Sequence, residues 1–283
     1  MKVGIVGVGY VGTALKEGFK EYHQVETYDL DANLSSCNSI DELVKKTELI
    51  FLCVPTPMHK NGSCDLSIVK GSIDKIASSK FSKGKIVVIK STVVPGTTEY
   101  LNNKYDNIDI IFNPEFLTEA NFIEDFRNQN RIILGGPRPA TTEVKQFYIK
   151  IFPKSTIVKT GSVYAEMVKY FSNTFLASKV SFANEMKMIC DKLNIDYDKV
   201  VEYAIYDDRL GNSHWSVPGP DGKLGFGGSC FPKDINALIQ IASELGLDPI
   251  MLKSAWKTNL KVRPNKDWEE LKGRAISNND NEI

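Results

Sequence analysis

No stretch of this sequence approaches the roughly 20 consecutive apolar residues that a membrane-spanning helix requires, so no membrane partner is expected. Charge of one sign is not in excess either, because 35 Lys and Arg face 35 Asp and Glu. That balance leaves no global basic field of the kind nucleic acid demands. Cysteine is scarce and unpatterned: Cys37, Cys53, Cys64, Cys190 and Cys230 are scattered, odd in number and form no CxxC pair. With only His23, His59 and His214 beside them, they make no Cys/His cluster. Neither a metal site nor a disulfide framework is expected. His23 and His59 fall in apparent surface turns and His214 in a loop that reads as exposed, so histidine is not expected to carry the chemistry. The opening residues run directly into a strand, without the charged n-region or cleavage site of a secretory signal. A reduced, cytoplasmic setting is the expectation.

What is present is the composition of an ordinary enzyme, 42% hydrophobic and 25% charged over 283 residues, enough for two domains. Lys2–Val6, Gln24–Asp29, Leu49–Val54, Lys85–Ser91, Ile108–Phe112 and Arg131–Leu134 read as strands separated by helical stretches. Several are too uniformly apolar to have a solvated face, as in strands buried within a parallel sheet. Ser39 with Glu42 has the capping-box pattern, and Asp65 stands as a start signal before the periodic stretch Leu66–Ile76. The pattern predicts an α/β fold, a Rossmann-type doubly wound parallel sheet followed by a smaller all-helical domain. Thr141–Phe152 reads as a helix and Thr156–Lys159 as a last strand. After Gly161 and Ser162 a long amphipathic helix is expected to run to about Leu193, roughly 30 residues and about 45 Å. Asp196–Tyr206, Asp234–Leu245 and Pro249–Val262 are further helical stretches, and Arg209–Gly228, rich in Gly and Pro, reads as a loop. The expected division is a Rossmann-like domain over 1–160, a helical domain over 161–262 and a polar tail, frayed or disordered, over 263–283.

Gly7, Val8, Gly9, Tyr10, Val11 and Gly12 follow the first strand at once and open a helix. In a GxGxxG turn the glycines permit a tight bend and close approach of a pyrophosphate, while the helix N-terminus presents N–H groups to anionic oxygens. Glycine-rich turns are common, but here the preceding strand, the following helix and a later acid agree. Asp29 ends the next strand, where a carboxylate accepts ribose hydroxyls. No Arg or Lys occurs in the six residues after it to meet a 2′-phosphate, so NAD is the expected cofactor and not NADP.

Gly225-Phe226-Gly227-Gly228-Ser229-Cys230-Phe231-Pro232-Lys233-Asp234 is the second informative stretch. Pro232 suits the first turn of a helix, which places Ser229 or Cys230 near its cap. A thiol at a helix N-terminus beside Lys233 should ionise readily, as a nucleophile must. Lone cysteines are more often small buried hydrophobes, and Cys37, Cys53, Cys64 and Cys190 are read that way.

This stretch resembles the active-site cysteine motif of the UDP-glucose 6-dehydrogenase family, enzymes that oxidise the primary alcohol of a nucleotide sugar to a carboxylate with two NAD. Further segments match in the same order: Gly7–Gly12, Pro55-Thr56-Pro57, Ser91–Thr97, Asn113-Pro114-Glu115-Phe116-Leu117-Thr118-Glu119 and Ala165–Asn173. The likeness covers about residues 1–260. It implies that Gly7, Gly9, Tyr10, Val11, Gly12, Asp29, Thr56, Thr92, Glu119 and Lys233 hold the cofactor. It places Glu115, Phe116, Leu117, Lys169, Asn173, Arg209, Phe226 and Gly227 at the substrate, with Arg209 coming from a neighbouring subunit. Lys169 and Asn173 are four apart, so they share a helix face; without the resemblance they would read as a solvated face.

The implied chemistry gives Cys230 the nucleophile's part. Asp234 and Lys169 hold the water through which the alcohol proton leaves, Lys169 and Asn173 stabilise the oxyanion, and Glu115 positions the hydrolytic water, with Thr92 also in the catalytic group. UDP-glucose is the leading substrate, and a homodimer paired through the helical domain is the expected assembly. Members of this family continue into a further α/β domain that grips the nucleotide. Nothing after Val262 has that pattern, so the grip on the nucleotide is left open. The run Ser213–Lys223 is also an elaborated lead-in to Gly225. Two other readings stand beside this one: a two-electron dehydrogenase similar to the hydroxyisobutyrate and 6-phosphogluconate enzymes, which leaves Cys230 unexplained, and a non-catalytic NAD-binding remnant.

Overall fold

The computed structural model describes residues 1–278. Internal contacts gather the chain into two units, Met1–Thr56 with Leu66–Lys169, and Pro57–Asp65 with Tyr170–Ile283.

The first unit alternates β1 (Lys2–Val6), α1 (Tyr10–Phe19), β2 (Gln24–Tyr28), α2 (Ile40–Lys46), β3 (Leu49–Leu52), α3 (Ser67–Ala77), β4 (Lys85–Ile89), α4 (Thr97–Lys104), β5 (Ile108–Phe112), α5 (Phe122–Arg127), β6 (Arg131–Gly135), α6 (Arg138–Ile151) and β7 (Thr156–Thr160). The strands form one sheet in the order β2-β1-β3-β4-β5-β6-β7. Chain order reverses between β1 and β3, the switch point at which doubly wound sheets bind ligands. The sheet is the expected doubly wound parallel one, with a single exception: β5 and β6 pair antiparallel at Phe112 and Gly135. The apolar strands are explained by burial on both faces. Val3, Ile5 and Phe51 join one cluster with Phe19 and Tyr148, while Val6, Ile50 and Leu52 join another with Leu43 and Ile73. Side chains alternate along a strand, so a sheet covered on both sides needs apolar residues at every position.

Ser39 caps α2 through its hydroxyl, which accepts from the Glu42 N–H, as its spacing predicts. Asp65 does not cap α3, which starts without a side-chain cap. Its carboxylate instead accepts the Ser277 hydroxyl at 2.6 Å.

The second unit takes the long helix α7 (Ser162–Leu193) from Tyr170 onward, with α8 (Tyr197–Ala204), α9 (Phe231–Glu244) and α10 (Ile250–Val262). Segment 263–278 corrects the expectation of a frayed tail; residues 279–283 lie outside the described part. A 3-10 turn spans Asp267–Glu270, and Trp268, Arg263 and Ala275 are all buried. The chain then pairs with the loop 57–65: Met58 N–H donates to Ala275 C=O, and Ser277 N–H donates to Met58 C=O, both at 2.8 Å. Among the described residues, no helix is long and apolar enough to cross a membrane.

Candidate active site

In the first unit the glycine turn has the shape its sequence implies. Gly7 has a φ of +89°, and a Cβ there would stand 2.7 Å from the Cys53 carbonyl oxygen, so a side chain is excluded twice over. A Cβ on Gly12 would strike the Gly7 carbonyl. Gly9 is the N-cap of α1 with no side-chain cap, and a Cβ added there would meet nothing within 4 Å. The start of α1 therefore opens onto space through which a pyrophosphate can reach helix N–H groups. Asp29 leaves β2 and accepts the Val8 N–H at 2.6 Å, which fixes its carboxylate beside the turn. Thr56 and Thr92 are both buried. The Thr92 loop is held from α7: the Glu166 carboxylate accepts from Gly96 N–H at 2.6 Å and from the Thr98 N–H and hydroxyl at 2.8 and 2.6 Å. Burial raises the Glu166 pKa against the pull of those donors.

Glu115 and Lys169 form a buried ion pair at 2.8 Å. Lys169 also donates to the Glu115 carbonyl at 2.6 Å, and the other carboxylate oxygen accepts the Leu117 N–H at 2.7 Å. Burial pushes the Glu115 pKa up, but the Lys169 charge and its hydrogen bond outweigh it, so Glu115 is held below its ordinary value as a carboxylate. Phe116 and Leu117, with Thr118, Lys90 and Arg131, line a cleft of about 430 Å³ beside this pair. The Arg131 guanidinium lies 4.1 Å from the Phe116 ring centre. Glu119 is exposed.

Lys90 is a residue that sequence pattern missed. Its ammonium is buried at the end of β4 and donates to Asn113 Oδ1 at 3.0 Å, the atom that also accepts the Tyr148 hydroxyl at 2.6 Å. Burial lowers its pKa to about 8. A lone Lys after four apolar strand residues carries no periodic signal, so only its place in the sheet reveals it.

In the second unit Cys230 is the N-cap of α9 and Pro232 sits in the first turn, as the composition of the stretch predicts; the helix begins at Phe231, three residues ahead of the expected Asp234. Asp234 is almost fully buried and bonds on both sides, to Lys233 at 2.5 Å and to Asn173 Nδ2 at 2.6 Å. Burial disfavours the Lys233 charge, but Asp234 above all, then Cys230 and Cys64, raise its pKa on balance. The ammonium therefore stays charged beside the thiol. Of the other cysteines, Cys37 and Cys190 are buried in apolar clusters and Cys53 is partly buried against one. Burial pushes the Cys53 thiol up to about 12 and that of the partly exposed Cys64 up to about 11.

Lys169 and Asn173 thus have different partners, Glu115 for one and Asp234 for the other. The Phe226 ring lies in the unit's core against Ala177, Ile235 and Ala255, so this loop can offer a ligand the edge at Gly227 but not that ring. Arg209 is exposed on a 3-10 turn and pairs with Asp207. Two histidine expectations are corrected. His23 stacks on Phe147 at 4.7 Å, and His214 is half-buried with its ring 5.8 Å from Phe231; burial lowers the pKa of each.

Comparison with known proteins bears on both units. Residues 17–153 match the NAD binding domain of the UDP-glucose/GDP-mannose dehydrogenase family, and residues 163–261 match that family's central domain. UDP-glucose 6-dehydrogenase AglM of Haloferax volcanii is 34% identical over 92% of this chain and 69% of its own length. The solved UDP-glucose dehydrogenase of the hyperthermophilic archaeon Pyrobaculum islandicum is 30% identical, with a TM-score of 0.81 over 92% of this chain and 68% of that one. A 3-hydroxyisobutyrate dehydrogenase of Mycobacterium tuberculosis, 14% identical, has a TM-score of 0.74 over 94% of both chains, a likeness of fold alone. The chain spans from 50% to 69% of the length of the UDP-glucose 6-dehydrogenases it matches. The glycine turn, Asp29 and the matched NAD binding domain agree on NAD as the cofactor. On these grounds the chain belongs to the UDP-glucose/GDP-mannose dehydrogenase family of oxidoreductases.

Proposed function

We propose that this protein oxidises the C6 primary alcohol of a nucleotide sugar to the carboxylate in two two-electron steps, with Cys230 as covalent nucleophile and UDP-glucose as the first substrate to test. The observation that carries the reading is the placement of Cys230 at the start of α9, beside a Lys233 that stays charged. Both features favour a thiolate. When bound, NAD would supply the hydride acceptor for both oxidations. Gly7, Gly9, Gly12 and Asp29 hold it in the manner described above, together with Tyr10, Val11, Thr56, Thr92, Glu119 and Lys233.

The residues divide the remaining work. The alcohol proton leaves through water to the Asp234 carboxylate, which Asn173 and Lys233 keep oriented. The aldehyde carbon then bonds to the Cys230 sulfur, and its oxygen becomes an oxyanion that Lys169 and Asn173 stabilise. Loss of the second hydride leaves a thioester. Water held by the Glu115 carboxylate attacks it, the C–S bond breaks, and the thiolate returns. The balance is one alcohol, one water and two NAD giving one carboxylate, two NADH and three protons. Phe116, Leu117, Arg209 and Gly227 are assigned to the sugar nucleotide, and a reducing cytoplasmic setting suits the thiolate.

Counting NADH formed per acid produced, across UDP-glucose, UDP-N-acetylhexosamines and GDP-mannose, tests the scheme. Two NADH per acid, with acid formation lost in Cys230→Ser, is the expected result. One NADH per product, or full acid production by Cys230→Ser, would sink it.

A homodimer forms part of this reading. Phe171, Phe175, Phe182 and Ile189 are all at least half exposed along α7, and the last three are spaced seven apart, one side of a helix. Such a stripe asks for an apolar partner. Sedimentation of the full chain should give a dimer that Phe175→Glu with Phe182→Glu converts to monomer; a monomeric wild type would remove this part of the proposal.

A further inference from the structure

The glycine run that leads into Cys230 is gripped, residue by residue, by three side chains to which sequence motifs gave no role. Asn259, fully buried on α10, accepts the Phe226 N–H at 2.7 Å and donates to the Phe226 carbonyl at 2.9 Å. Asn184 on α7 accepts the Gly225 N–H at 3.1 Å, and its own amide is oriented by the Val180 carbonyl at 2.9 Å. Arg263, one helical turn beyond Asn259, lies against Gly227, where an added Cβ would collide with the guanidinium. Arg263 is fixed in turn by Asp267 at 2.7 and 2.8 Å and by Asp221 at 2.7 Å. Lys223 bonds Asp267 at 2.7 Å. The elaborated loop before Gly225 is therefore tied to the end of α10 through four alternating charges.

The chemistry of this grip is specific. A buried amide that pairs with both the N–H and the C=O of one residue fixes the rotation of the two peptides flanking it as well as its position. Gly225 and Gly228 have φ of +67° and +70°, so the run on either side of Phe226 has little intrinsic preference for one path. The side chains supply what the glycines lack, and Cys230 follows two residues after Gly228.

We propose that Asn259, assisted by Asn184 and Arg263, is a positioning residue for the Cys230 thiolate: it sets the path of residues 225–228 and thereby the place of the sulfur at the start of α9. The role rests on the reading of Cys230 as nucleophile but not on the identity of the substrate. Displacing a nucleophile by about 1 Å costs on the order of 100-fold in rate, so kcat should carry the larger loss, KM should rise by less through the shifted Gly227, and NAD affinity should change little.

The test uses the full chain with Asn259→Ala, Asn259→Asp and Asn184→Ser. Asn259→Asp keeps the acceptor for Phe226 N–H and loses the donor, so its effect should be intermediate. Circular dichroism and urea melts establish that each variant is folded at the assay temperature. Iodoacetamide labelling of Cys230, read by peptide mass spectrometry across pH, then reports the thiol directly. The expected result is a displaced labelling profile for Asn259→Ala, kcat with UDP-glucose reduced about 100-fold, and a partial effect for Asn259→Asp. A folded Asn259→Ala protein with wild-type labelling and wild-type kcat overturns the proposal, as does a loss that follows thermal stability alone. If Asn259→Ala does not fold, the same two readouts on Asn184→Ser decide. If wild type turns over no nucleotide sugar, the proposed function fails, while the labelling comparison still judges the positioning role.

Discussion

The two units of this chain hold their functional groups by different means. Among the described residues, the first has two clusters of nineteen buried apolar residues each, one on either face of its sheet. The second has two clusters of four and relies on buried polar contacts: Asn173 with Asp234, Asn259 with Phe226, Arg263 with Asp267, Ser277 with Asp65. Apolar burial is non-directional and scales with area, so it builds a rigid platform without choosing which atoms face a ligand. Hydrogen bonds choose atoms and angles, but each adds only about 1 kcal/mol net. A cofactor cradle needs the platform, because its contacts come from backbone at strand ends. A thiolate to be set at one point needs the directional contacts.

This contrast can be broken where it predicts the largest effect. Phe51 is fully buried in the first unit, 5.0 Å from the Phe19 ring. Phe51→Ala should cost about 4 kcal/mol, the transfer of a ring plus the cavity it leaves. Urea melts followed by circular dichroism give the value. A loss under about 1 kcal/mol would mean that the first unit is not held chiefly by its packed faces.

Lys90 is one of the buried charges that the apolar unit also holds, beside Glu166 and the Glu115–Lys169 pair, and it sharpens the contrast by pH. Burial lowers its folded pKa from 10.5 to about 8. Between those values the unfolded chain binds more protons than the folded one, so stability from this group rises with pH. The penalty is fully present below the folded value and disappears above the unfolded one. Its size is about 3 kcal/mol, from 2.5 pH units at 1.36 kcal/mol each. Lys90→Met removes the titration, so its stability advantage over wild type should shrink by about that amount from neutral pH to pH 10.5. A constant difference would show that burial does not lower the Lys90 pKa, the folded chain holding that proton as firmly as the unfolded one.

The same contrast explains which parts were legible in the sequence. Strand burial on two faces writes itself as Val3 to Val6 and Leu49 to Leu52, so the sheet could be read from pattern. Gly7 and Gly12 were readable because only glycine fits where a Cβ meets backbone. Cys230 was readable from Pro232 and its neighbours. The polar grips were not. Asn259 and Asn184 lie in amphipathic helices, where an amide gives no sign of whether it faces water or a loop 33 or 41 residues away. Arg263 and Trp268 looked like part of a polar tail because charge is abundant around them, and only the partner carboxylates Asp221 and Asp267 turn that charge inward. His23 and His214 misled for the same reason: a short polar segment reads as exposed until Phe147 or Phe231 is brought beside it.

The smallest effect falls on the most distant of these grips. Ser277 donates to Asp65 at 2.6 Å across 212 residues of sequence, and Asp65 is buried. Removing the hydroxyl deletes one charge-assisted bond, and backbone pairing of Met58 with Ala275 and Ser277 remains to hold the segment. Ser277→Ala should therefore cost about 1 to 2 kcal/mol, in the range of a bond to a charged group. The variant should fold and bind NAD as wild type does, because Gly7 to Gly12 and Asp29 belong to the other unit. Hydrogen exchange then locates the loss: faster exchange should appear at Met58 and Asp65, whose N–H groups donate to Ala275 and Pro57, and not in β1 or β3. Exchange that rose equally in β1 and β3 would show the loss spreading through the whole molecule, and the division of labour between packed faces and directional grips would not hold.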